Sequence, residues 1–160
     1  MRGSVTPERA WWDVMKYDIS VQPDYKSKTI SASVTMSFKV VENGNKPMQI
    51  DLQDPMMIDS VKMNNQHVAF KKIPDDKNAW YIQTGNHKKG NEVITFYYHG
   101  KPREAKRAPW DGGWIWTKDS LGRPWMTVAC QGLGASVWYP CKDYQGDEPD
   151  NGAILRITVP

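Results

Sequence analysis

A chain of 160 residues can bury one core and does not require a second domain. Its formal net charge of +3 is spread along the sequence, apart from a loose group at Lys101, Arg103, Lys106 and Arg107, so it lacks the concentrated positive footprint that nucleic-acid binding needs. No apolar run approaches a membrane span, and the first residues hold no signal-peptide hydrophobic core.

From the N-terminus, Thr6-Pro7-Glu8 can start one helical turn, with Thr6 as cap and Pro7 in the first helical position. Tyr17, Ile19 and Val21 then alternate with Asp18, Ser20 and Gln22 in a strand that ends at Pro23. Ile30, Ala32, Val34, Met36, Phe38 and Val40 alternate without a miss against Ser31, Ser33, Thr35, Ser37 and Lys39, which predicts a strand with one wet face. Asn43-Gly44-Asn45 makes a turn into a short strand from Met48 to Gln53. Ile58 to Met63 and His67 to Lys71 flank Asn64-Asn65-Gln66 and read as a hairpin, and Trp80 to Gln83 with Glu92 to Tyr98 read as the next pair. From Gly100 to Gly113 the composition changes to that of a long surface loop. Trp114 to Trp116 and Trp125 to Gln131 are strands around a turn at Asp119 to Pro124, and Leu155, Ile157 and Val159 share a face of a last strand running to Pro160. The pattern is all-β: either a large curved, mostly antiparallel sheet or a sandwich.

The chemistry-bearing stretch runs from Met126 to Asp143. Gln131 is placed at the end of a strand, on the face opposite Cys130, and is followed by Gly132-Leu133-Gly134, two glycines that permit close backbone approach. Pro140 pins a second corner before Cys141 and Asp143. Cys130 and Cys141 could close a short loop, but they read rather as two free thiols. With no histidine beside either cysteine they form no zinc site, and His67, His87 and His99 read as surface residues. Asp147-Glu148-Pro149-Asp150 matches no calcium-loop spacing and reads as a solvated turn.

The same stretch resembles a segment of the gluzincin zinc aminopeptidases, the alanyl aminopeptidase and leukotriene hydrolase family, in which Gln or Glu precedes Pro-Cys-x-Asp by nine residues. Gln131 stands nine before Pro140-Cys141-Lys142-Asp143. The resemblance extends to Trp11-Trp12-Asp13-Val14, Tyr17-Asp18, the long strand near Ile30 and the close at Thr158-Val159-Pro160. Ser136 departs from it, since the family commonly has Arg five residues after the Gln or Glu. The resemblance implies a saddle-shaped N-terminal β domain over residues 1–160. That domain would be truncated at its C-terminal end, with an open strand edge able to self-associate. The resemblance also implies that zinc belongs to a catalytic domain of the parent chain, outside this sequence, and that Gln131 helps hold the free amino end of a peptide substrate. Asp143 is expected to brace the corner.

No His-Glu-x-x-His, Gly-x-Ser-x-Gly or P-loop is present, so the chain offers no catalytic apparatus or cofactor site of its own. The alternative reading is a stand-alone aromatic-rich β-sandwich that binds carbohydrate or protein, with Trp114 and Trp116 forming an exposed platform on one strand face.

Overall fold

A computed structural model describes residues 3–159. At its centre is β2 (Thr29–Val40), whose alternation buries Ile30, Val34, Met36, Phe38 and Val40 and leaves the serine and threonine side outward, where Thr35 and Thr95 share a hydroxyl hydrogen bond of 3.0 Å. β2 pairs antiparallel with β1 (Trp12–Asp24) on one side and with β8 (Gly90–Gly100) on the other. β4 (Met57–Met63), β5 (Gln66–His67) and β11 (Ala153–Ile157) complete a six-stranded sheet in the order β11-β1-β2-β8-β4-β5.

A second sheet has the order β3-β7-β6, from β3 (Met48–Asp51), β6 (Phe70–Ile73) and β7 (Asp76–Ile82). The third is the hairpin of β9 (Gly113–Lys118) and β10 (Pro124–Ala129). Inward side chains of the large sheet, Phe38 and Phe96 among them, join Ile50, Trp80 and Ile82 of the second sheet in one core cluster that also takes in Trp11, Trp12, Trp114 and Trp138. The protein is all-β, as the alternation predicts.

Several pairings differ from the sequence reading. Trp80 to Gln83 does not pair with Glu92 to Tyr98; β7 lies between β3 and β6, while β8 lies between β2 and β4. Only Gln66–His67 turns back on β4, and Phe70–Ile73 leaves for the second sheet. The last strand runs parallel to β1, with Ile19 opposite Leu155 and Val21 opposite Ile157, so both apolar residues point to the core side at the sheet's edge. Pro160, where that strand was expected to end, lies outside the described residues.

The helical turn α1 (Pro7–Ala10) forms as predicted, with Thr6 at the N-cap position. The Thr6 hydroxyl donates instead to Gln49 Oε1 at 2.8 Å.

Candidate functional site

Gln131 lies two residues beyond β10, not at the strand's end. The chain turns there: the Leu133 and Gly134 N–H groups both donate to the Cys130 carbonyl, at 3.2 and 2.9 Å, and Gly132 takes φ +67°, which glycine adopts without a Cβ penalty. Gln131 is exposed at the first corner of this turn, so its amide is presented to solvent.

Everything behind the turn is tied down. Gln53 Nε2 donates to the Leu133 carbonyl at 2.6 Å and to Ser136 Oγ at 2.8 Å. Ser136, in a 3-10 turn over Ala135–Val137, donates in turn to Asp143 Oδ2 at 2.5 Å. The Asp143 N–H donates to Asp51 Oδ2 at 3.1 Å, and both Asp51 carboxylate oxygens also accept from Arg9 Nη2. Arg9 and Asp51 are fully buried. Burial pushes the Asp51 carboxyl up to about 6 against the pull of Arg9. Position 136, the departure from the family pattern, is therefore a buried hydroxyl that relays one hydrogen bond from Gln53 to Asp143.

The Pro140-Cys141-Lys142-Asp143 segment is anchored residue by residue. Cys141 bridges Asp51 through both backbone groups, at 2.9 and 3.0 Å. The Lys142 N–H donates to Tyr17 Oη at 3.1 Å. Its ammonium donates to the Trp12 carbonyl at 2.5 Å, lies 4.5 Å from the Trp12 ring centroid and pairs with Asp147. Asp143 braces the corner, in line with its expected role. Asp147 corrects the reading of a wholly solvated acidic turn, because its side chain is buried in that ion pair while Glu148 and Asp150 stay exposed.

Both cysteines are free thiols, and burial raises the pKa of each, so neither presents a ready thiolate. His67 and His99 are exposed, but His87 is only 6% exposed and stacks on Trp11 at 3.7 Å, against the surface reading. Trp114 is buried, stacked on Trp116 at 5.0 Å and set against Trp138 at 6.0 Å, and Trp116 is half-buried against the core, so the two do not form an open platform. Trp110 and Trp125 are the exposed tryptophans among the described residues. The histidines lie apart, and among the described residues no three His, Cys, Asp or Glu side chains gather to hold a metal ion. The described residues do not fit zinc.

Sequence reasoning missed Arg9, Asp51 and Gln53. Gln49, Asp51 and Gln53 alternate with Met48, Ile50 and Leu52 and so resemble a wet strand face, yet all three are buried. The available signal was three consecutive outward positions with hydrogen-bonding side chains and no lysine.

No protein-family profile matches the chain, and no curated protein does. Solved structures do. An M1 zinc metallopeptidase from Deinococcus radiodurans superposes with a TM-score of 0.73 at 18% identity, over 95% of this chain and 33% of that one. Yeast LTA4 hydrolase in complex with bestatin gives 0.74 at 13% identity, over 98% of this chain and 25% of the other. A variant of a two-domain M1 zinc metallopeptidase bound to L-arginine gives 0.70 at 19%, over 95% and 33%. This chain thus spans a quarter to a third of the length of these proteins, and at such identities the likeness is one of fold. The chain has the fold of the corresponding part of M1 zinc metallopeptidases and LTA4 hydrolase.

Proposed function

We propose that this chain is a non-catalytic N-terminal β domain of a zinc-dependent aminopeptidase, flanking a catalytic domain elsewhere in the parent polypeptide, and that Gln131 accepts a hydrogen bond from the amino end of the peptide substrate. The observation that carries the reading is the exposed Gln131 on a turn fixed from behind by Gln53 and, through Ser136, by Asp143, within this fold. A substrate α-ammonium has three donors and an amide oxygen accepts readily, so a preorganised amide favours chains with a free amino end over those without one. Zinc would belong to the other domain, since no group among the described residues fits it.

Loss of one hydrogen bond to a charged group costs about 1.5–3 kcal/mol, or roughly ten to a hundred and fifty fold in kcat/KM. Gln131→Ala in the full-length polypeptide is expected to lower kcat/KM on peptides with a free amino end by that factor. A variant unchanged within about twofold would make Gln131 a structural amide. The 160-residue chain alone is expected to hydrolyse no aminoacyl chromogenic substrate and to bind no stoichiometric zinc. Turnover that survives repurification and disappears with a chelator would overturn that expectation.

A further inference from the structure

Gln53 lies outside the exposed site and is only 8% exposed, yet it bonds directly to the segment behind the turn. Its backbone N–H donates to the Ser136 carbonyl at 2.9 Å, and its side-chain amide nitrogen reaches the Leu133 carbonyl and the Ser136 hydroxyl. A carbonyl can only accept, so the nitrogen end of the Gln53 amide must face Leu133, and both its N–H groups are used. Ser136 then has its proton free for Asp143, whose own N–H is held by the Arg9–Asp51 pair. Such chains of hydrogen bonds strengthen one another inside a protein.

The turn that presents Gln131 is held at its entry by the last rung of the β9–β10 ladder, Ala129 opposite Gly113, and at its exit by Gln53. Gly134 at the exit lies so close to the Asp143 carboxylate that a Cβ there would overlap it, so this end of the turn has little room to shift. Between the two fixed ends stand Cys130, whose carbonyl ties back to the Leu133 and Gly134 N–H groups, and then Gln131 and Gly132.

We propose that Gln53 is a positioning residue for Gln131: it locks the exit of the turn and thereby fixes the direction in which the Gln131 amide meets the amino end of a bound peptide. The functional half of this inference rests on the aminopeptidase reading; the ordering half rests on the hydrogen bonds alone.

The test uses Gln53→Met, which keeps length and removes both donors, and Gln53→Glu, which keeps shape and removes them. In the 160-residue chain, backbone amide order parameters at Gln131 to Gly134 are expected to fall from about 0.85 to below about 0.6 in either variant, while β2 and β8 stay rigid. In the full-length polypeptide, KM for peptides with a free amino end is expected to rise about three- to tenfold with kcat within about twofold. The same substitution in a Gln131→Ala background is expected to add nothing to KM. A turn as ordered as in the wild type, or a KM rise undiminished in that background, overturns the proposal. If neither variant folds, hydrogen exchange in the wild type decides: Gln53 side-chain amide protons should exchange much more slowly than those of Gln131, and equal rates overturn the proposal. The two readings fail separately, because a silent Gln131→Ala defeats the aminopeptidase role while leaving the ordering result intact, and an effect of Gln131 without one of Gln53 defeats only this inference.

Discussion

A proton on His87 has to be accommodated inside the structure, because the ring is buried face to face with Trp11 and its backbone bridges Gly44 at 2.8 and 3.1 Å. Burial lowers its pKa below the usual 6.5, opposed by the Gly85 backbone and Glu42 and reinforced by Lys46. A histidine lowered in the fold contributes stability that is present above about 6.5 and is lost as pH falls through its folded value, since the unfolded chain takes up the proton first. Asp51 acts with the opposite sign: raised to about 6, it favours the fold more as pH falls from there toward the ordinary carboxylate range. The two effects overlap, so the informative quantity is a difference. Wild-type stability relative to His87→Gln, measured by urea unfolding, is expected to decline between pH 7.5 and pH 5. A difference independent of pH would mean that His87 titrates as freely folded as unfolded.

The loop element after β10 shows what local sequence reveals and what it does not. Two glycines around Leu133 are legible as a tight turn, and the structure places both at positive φ, but only one of them is crowded. A Cβ on Gly132 meets nothing within 4 Å, whereas one on Gly134 overlaps the Asp143 carboxylate. Gly132→Ala is therefore expected to cost about 1 kcal/mol, from the left-handed backbone alone, and Gly134→Ala about 3 kcal/mol, because strain and displacement of the Ser136–Asp143 bond add. Equal losses in denaturant titrations would remove Asp143 as the cause. The long strand β2 was legible because alternation is a local property and both of its neighbours reward the same face. The partners of β7 and β8 were not, because pairing depends on residues far apart in sequence. The polar side of β3 misled for a related reason: alternation reports that a face is polar, but whether it meets water or Arg9, Thr6 and the Gln131 turn is decided by elements some forty and eighty residues distant.

At the scale of the whole molecule, the large sheet ends at the two-residue β5 on one side and at β11 on the other. Leu155 and Ile157 face the core side there, yet remain 52% and 57% exposed because no layer covers the edge. With Val159 they form one wall of an apolar groove of about 330 Å³, whose other wall includes Met126, Trp114 and Trp138. The outer edge of β11 also leaves backbone donors and acceptors without a neighbouring strand. Edges are commonly blunted by lysine, proline or an inward charge, but Ala153–Ile157 has none of these, and its single charge, Arg156, is engaged by Asp18. An uncovered apolar face and an unpaired ladder along the same strand favour the same outcome, pairing of β11 with an extended strand of a second copy. Sedimentation of the 160-residue chain is accordingly expected to show a monomer–dimer equilibrium that shifts with concentration. Ile157→Lys, which places a charge on the apolar face without touching the site around Gln131, is expected to return the chain to monomer. A wild-type chain that stays monomeric at high concentration, with the amides of Leu155 to Ile157 fully protected from exchange, would show that this edge is sealed in solution.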